Sequence, residues 1–240
     1  MQFSEVDIII PVFNEGCNIG QTLTGIVGRV RVPHHIFIVY DVDDDDTLPP
    51  ARATADQLGI EVHFLRNKYG RGVLNAIRTG FEDTSSPYVV IVMADLSDAL
   101  EDIDVMHSTA VENKASVVCG SRHMKGGQQC GGPLFKRMLS RLAGTSLHWL
   151  AGVPTHDVTN AFKLFSREVI STIPIDSCGG FELCMELTIK AHLDGYRVVE
   201  IPTTWHDRTL GVSKFRIWAW FPHYLRWYLY ACSKVMRRYW

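Results

Sequence analysis

The chain has 240 residues, 46% of them hydrophobic, and carries 24 Lys and Arg against 26 Asp and Glu for a formal net charge of −2. That length and apolar content suit a single large domain, and the near-neutral balance removes any global electrostatic reason to expect a nucleic-acid partner. Six cysteines without a Cys-x-x-Cys pair or zinc spacing predict reduced structural thiols, and the absence of a basic-then-apolar leader or a run of about 18 apolar residues predicts a cytosolic protein without a membrane span.

Short apolar runs rich in β-branched residues, at residues 6–10, 36–40, 60–65, 88–93 and 116–119, predict buried strands. Between them, Leu23, Ile26, Val27 and Val30 form one helical face and Val73, Ala76, Ile77 and Phe81 another. This alternation predicts an α/β fold with a mostly parallel central sheet and helices on both faces. Past Gly120 come a Gly-rich loop at residues 126–132, helices over residues 134–150 and 181–193, a strand over residues 196–201 and, after Pro202, a polar loop over residues 203–213. Glu182 and Glu186 share one face of the second of these helices and are read as ion-paired or solvated. The stretch from residue 215 to 240 interleaves Trp218, Trp220, Phe221, Tyr224, Trp227, Tyr228 and Tyr230 with Arg216, Arg226, Lys234, Arg237 and Arg238. Amphipathic rings and cations suit a membrane interface, so residues 1–214 are expected as the main domain and residues 215–240 as an amphipathic tail on a membrane surface; packing as core or as a dimer face is the other reading.

Ligands of open parallel sheets lie outside the carboxyl ends of the strands, which directs attention to the loops starting at Pro11, Tyr40, Arg66, Met93 and Gly120. The first, Pro11-Val12-Phe13-Asn14-Glu15, offers a rigid turn, a ring and a carboxylate, or simply a turn with Asn14 as a helix N-cap. In the second, Asp41 is nearest the strand end, where a carboxylate can accept hydrogen bonds from a base edge. Asp43 or Asp45 ranks next, and the remaining acids read as a solvated run or a helix start before Thr47. The third, Arg66 to Gly72, sets cations including Lys68 beside glycines ahead of a helix and favours phosphate. The fourth, Met93-Ala94-Asp95-Leu96-Ser97-Asp98, places hard oxygen ligands where a divalent cation grips a diphosphate. Together these loops indicate a nucleotide-sugar site.

These motifs, with Gly120-Ser121-Arg122, Asp157-Val158-Thr159-Asn160-Ala161-Phe162 and Asp207-Arg208-Thr209-Leu210-Gly211-Val212-Ser213-Lys214, resemble family 2 inverting glycosyltransferases of GT-A fold, in the branch of dolichol-phosphate mannose synthases and polyprenyl-phosphate glycosyltransferases. The resemblance implies a Rossmann-like GT-A domain with C-terminal amphipathic aromatic helices. It also implies transfer of a mannose- or glucose-type hexose from a GDP- or UDP-sugar to a polyprenyl or dolichyl phosphate, at the cytosolic membrane face. It puts Pro11, Phe13, Glu15, Asp41, Asp43, Lys68 and Gly72 at the nucleotide, and Asp95 on a divalent cation, Mg²⁺ or Mn²⁺. Ser121, Arg122 and Lys136 fall at the acceptor phosphate, Asp157 near the acceptor, and Arg208, Ser213 and Lys214 on a loop closing over the diphosphate. Where that family usually carries the first aspartate of its Asp-x-Asp motif this chain has Met93, a poor ligand for a hard cation, so weak metal binding is expected. The alternatives are a hydroxyl acceptor, for which Asp157 must serve as a base, and a nucleotide-sugar-binding protein without turnover.

Overall fold

Each strand of a buried sheet has two faces to cover, and an amphipathic helix covers one of them with a single stripe, so apolar runs alternating with helical stripes fold as layers. The structure, a computed structural model, describes residues 4–208 and 217–236. In chain order its elements are β1 (Val6–Val12), α1 (Ile19–Arg29), β2 (His34–Tyr40), α2 (Leu48–Leu58), β3 (Val62–Arg66), α3 (Val73–Asp83), β4 (Tyr88–Ile91), α4 (Asp102–Asn113) and β5 (Val117–Ser121). There follow β6 (Gln128–Cys130), α5 (Leu134–Ala151), β7 (Lys163–Ser166), α6 (Arg167–Thr172), α7 (Glu182–Leu193), β8 (Val198–Pro202), β9 (Thr204–His206) and α8 (Ile217–Met236).

Seven strands form one sheet in the order β3-β2-β1-β4-β7-β5-β8, parallel except for β7, which runs antiparallel to both β4 and β5. The mostly parallel sheet is as expected; the reversed strand is not. β7 has four residues and opens on Lys163, which interrupts the apolar signal, yet Lys163 is fully buried, its Nζ donating to the carbonyls of Val158 and Asn160. The expected loop over residues 203–213 is also corrected, since β9 pairs with β6 in a small parallel ladder too short to show a period in sequence. β4 ends at Ile91 rather than at residue 93, and Asn18, not Asn14, precedes α1. Asn14 instead holds a left-handed backbone, φ 54°, at the sheet edge.

Alternation along β1 sends Ile8 and Ile10 to one core, with α1 and α4, and Ile9 to the other, with α3, α6 and α7. A third cluster joins Leu147 and Ala151 of α5, Met185 and Ile189 of α7, and Trp227 and Ala231 of α8. α7 is therefore covered on both sides, and solvation of Glu182 and Glu186 is overturned: both are buried. Glu182 accepts the amides of Gly179 and Gly180, while Glu186 pairs with Lys190 at 2.6 Å. α8 continues through Pro222, with Trp227 donating to Ser177 Oγ at 2.9 Å while Phe221, Leu225 and Leu229 remain exposed. No helix among the described residues is long and apolar enough to cross a membrane. All six cysteines are free, and burial pushes the Cys119 and Cys184 thiols up to about 11 and about 12.

Candidate active site

The carboxyl ends of β1, β2, β3 and β4 carry the four loops singled out in the sequence. At the β2 end, Asp41 accepts from Asn67 Nδ2 at 2.8 Å and from the amide of Gly72 at 3.0 Å, so it fixes the glycine loop ahead of α3. Gly72 has φ 123°, a conformation that favours glycine, and its turned backbone aims that amide at Asp41. Asp43 and Lys68 point elsewhere: Asp43 pairs with Arg66 at 3.1 Å on the surface, and Lys68 pairs with Asp83 of α3. Asp45 is a structural carboxylate, buried and accepting the amides of Asn14 and Thr47, which ties the first two loops together. Pro11 is buried within β1, and Phe13 presents an exposed ring just beyond it.

Asp95 stands just past β4. Its Oδ1 accepts the amide of Ser97 at 3.2 Å and its Oδ2 accepts Arg208 Nη2 at 2.7 Å. The terminal nitrogen Nη1 lies 3.7 Å from Glu15 Oε1, so one cation, 113 residues from Asp95 in the chain, bridges the β1 and β4 loops. The approach is built by β9: His206 donates its amide to Ser97 and Asp207 its amide to Cys130. Below Asp95, Asp98 is buried and accepts the amide of Met93 at 3.2 Å; burial first, then the Asp95 charge, pushes it up to about 7. The Met93 backbone is thus held on Asp98, which the sequence offers with Ser97 as a possible helper to Asp95 and which the structure buries beneath it.

Among the described residues no three His, Cys, Asp or Glu side chains gather as a cation cage. Asp95 offers one carboxylate, already satisfied by the positive charge of Arg208, and a hard divalent ion is commonly held by one or two carboxylates completed with substrate phosphate oxygens. That donor set fits Mg²⁺ or Mn²⁺ only with a diphosphate present.

A second constellation forms at the end of β5. Arg122 meets Asp157 with Nε at 2.6 Å, Nη2 at 2.9 Å and its own amide at 3.0 Å, and the same Nη2 reaches Ser140 Oγ of α5 at 3.1 Å. Asp157 is fully buried; burial opposes its charge, but Arg122 and then His123 outweigh it and hold the carboxyl at about 2. His123, whose imidazolium is disfavoured chiefly by burial, lies 3.2 Å from Ser140 Oγ. Gly144 permits this arrangement, since a Cβ there would lie 2.0 Å from the His156 carbonyl oxygen and force α5 off the Asp157 loop. Ser121 is fully buried and accepts the amide of Met124, turning the chain rather than facing outward.

Beside this pair lies a cavity of about 310 Å³ lined by Arg122, His123, Gln129, Arg137 and Arg141 among others. Gln129 Oε1 is buried there without a hydrogen-bond partner. Lys136, half-buried in the first turn of α5, precedes these arginines by one and five positions. Arg137, Ser140 and Arg141 were missed in sequence although their i, i+3 and i+4 spacing on a predicted helix marks one face. Ser213 and Lys214 lie outside the described residues.

The model of glycosyl transferase family 2 matches residues 7–173. The polyprenol monophosphomannose synthase of Mycolicibacterium smegmatis is 35% identical over 219 residues, covering 86% of this chain and 79% of that protein. The dolichol-phosphate mannosyltransferase of Pyrococcus furiosus is 27% identical over 217 residues, covering 88% of this chain and 59% of its own length. Among solved structures, glucosyl-3-phosphoglycerate synthase of Mycobacterium tuberculosis, determined with Mn²⁺, UDP-glucose and phosphoglyceric acid, superposes with a TM-score of 0.69 at 14% identity, over 96% of this chain and 80% of that one. The superposable fold, the strand-end carboxylates and a family match spanning β1 to α6 lead to one assignment: this chain belongs to glycosyl transferase family 2 and is a glycosyltransferase of GT-A fold.

Proposed function

We propose that this enzyme moves a hexose from GDP- or UDP-sugar to a polyprenyl or dolichyl phosphate, with inversion, at a cytosolic membrane face. The observation that carries the reading is the state of Asp157. A carboxylate held at about 2 by its ion pair with Arg122 is a very weak base, so Asp157 would do little to deprotonate a hydroxyl acceptor. A phosphomonoester is already an anionic nucleophile at neutral pH, and the neighbouring cavity with Arg122, Arg137 and Arg141 offers the charge to receive it. The names of the mycobacterial and archaeal relatives point to the same acceptor class.

In this reading Pro11, Phe13, Glu15 and Asp41 line the nucleotide pocket, Gly72 shapes it, and Asp43 and Lys68 form its outer rim. A phosphate oxygen of the acceptor attacks the anomeric carbon from the face opposite the leaving nucleoside diphosphate; the new C–O bond forms as the old one breaks, and no proton need be removed. Arg208, with Lys214 beyond the described residues, stabilises the charge gathering on the leaving group. A divalent cation, when bound at Asp95, would neutralise the diphosphate. Lys136 and Arg122 orient the acceptor, and Asp157 positions Arg122. Residues 215–240 would form the amphipathic tail, with Phe221, Leu225 and Leu229 of α8 turned to the membrane.

The test is transfer of labelled sugar from a panel of GDP- and UDP-sugars to polyprenyl phosphate in detergent, with and without Mn²⁺. Label in the organic phase that disappears in Asp95→Ala and Arg122→Ala supports the proposal. Label appearing only on hydroxyl acceptors overturns it, as does saturable nucleotide binding with no transfer from any donor.

A further inference from the structure

Two carboxylates from separate loops face one guanidinium just past β4. Arg208 Nη2 meets Asp95 Oδ2 at 2.7 Å and Nη1 lies 3.7 Å from Glu15 Oε1, and the side chains of Arg208, Asp95 and Glu15 are only 18%, 11% and 14% exposed. Both carboxylates are fixed from behind. Asp95 Oδ1 accepts the amide of Ser97, while Glu15 Oε2 accepts Asn18 Nδ2 at 2.8 Å and the Glu15 amide donates to Thr47 Oγ1 at 2.9 Å. The oxygens turned to Arg208 therefore hold their places without it.

In a site so little exposed, a second positive charge placed beside the guanidinium is repelled through a medium that screens far less than water. A divalent ion approaching Asp95 in the free chain thus meets a carboxylate already neutralised, and Arg208 must leave before the ion can bind. A nucleoside diphosphate changes the balance. Its oxygens give the guanidinium another anionic partner, and they supply the ion with hard ligands that Asp95 alone does not provide and that Met93, a thioether, cannot. Arg208 stands two residues past β9, at the end of a three-residue strand rather than within the main sheet, which suits a side chain that changes partners.

We propose that Arg208 is the resident counter-ion of Asp95 and Glu15: it excludes a divalent ion from the free enzyme and yields the carboxylates only as a diphosphate arrives, so that cation and nucleotide bind as a coupled pair. The inference rests on the reading of Asp95 as the cation's ligand proposed above, and adds to it an order of binding. Its consequence is a gain, since removing Arg208 leaves two carboxylates facing one point and uncovers a cation site in the free chain.

Titration with Mn²⁺, followed by the paramagnetic resonance of the free ion, tests this on the full chain. The proteins compared are wild type, Arg208→Ala, Arg208→Gln and Arg208→Ala combined with Asp95→Asn, each alone and with GDP or UDP. Without nucleotide, both single variants are expected to bind Mn²⁺ about ten-fold or more tighter than wild type, and the double variant to lose that gain. Arg208→Gln keeps the side chain's bulk without its charge, so a gain there cannot be laid to collapse around an alanine. Adding the nucleotide that the enzyme binds should tighten Mn²⁺ on wild type by about ten-fold or more, and on the single variants by less. Equal Mn²⁺ affinity of wild type and both single variants without nucleotide overturns the proposal and leaves Asp95 standing as the ligand. No uptake of Mn²⁺ by any of the proteins, with or without nucleotide, overturns both. No transfer is measured, so a failure of the proposed lipid acceptor would leave either result intact.

Discussion

The two ends of the site are built on opposite principles. At the proposed donor end, Asp95 and Glu15 come from different loops and are held together by one guanidinium reaching 2.7 Å to the first and 3.7 Å to the second. At the proposed acceptor end, Arg122 spends three hydrogen bonds on one fully buried carboxylate and braces against α5 as well. The first arrangement is a cation bridging two loops, suited to exchange for the charges of a nucleoside diphosphate; the second is a finished internal ion pair whose role is to hold geometry. A buried pair of that kind contributes little net stability over an apolar substitute, but it is costly to break from one side.

The largest effect should come from breaking the acceptor-side pair. Arg122→Met leaves buried Asp157 without its guanidinium, keeping only the residue 122 amide, Thr159 and His123 against it, and is expected to cost about 3–5 kcal/mol in urea denaturation. Combining it with Asp157→Leu should restore most of that loss. If Arg122→Met alone costs under about 1 kcal/mol, the acceptor end is no more rigid than the donor end. Arg208→Ala probes the other side: turnover should drop about a hundredfold or more while stability changes little, read by steady-state kinetics beside denaturation.

Acid sharpens the contrast further. Asp157 sits at about 2 in the folded chain, below the ordinary 3.8, so its contribution is fully present above about pH 4 and is lost as pH falls toward 2. That contribution is of the order of 2 kcal/mol, and Asp157→Asn should flatten this part of the stability–pH curve. The smallest effect belongs to the rim. Asp43→Ala removes an exposed pair with Arg66 and should alter stability by less than about 1 kcal/mol. Calorimetric titration with GDP and UDP should show Asp41→Ala weakening affinity about ten-fold and Asp43→Ala about three-fold at most.

The gathering of the four strand-end loops was legible because its information is local. Asp41, Asp95 and Glu15 each follow an apolar run directly, and strand ends in a parallel sheet share one edge. β7 was hidden because a buried lysine is satisfied by carbonyls that no sequence pattern identifies as its neighbours. Asp45 ranked with Asp43 behind Asp41 as a site candidate, yet two amides from separate loops make it structural. Asp98 was legible only as one more oxygen ligand of its motif, because its burial depends on what folds over it.

By itself the sequence determined the layered α/β fold and the strand-end loops, since hydrophobic period and strand-end position are set within a few residues of each other, and its ordered motifs carried the resemblance to the family. Only the tertiary structure decided which charges meet: Arg122 with Asp157 across 35 residues, Arg208 with Asp95 across 113. It also decided that Leu134, Met138, Leu142 and Trp149 of α5 face outward. An apolar side chain reads the same in sequence whether a neighbour covers it or not, because burial is a property of the surrounding chain and not of the residue.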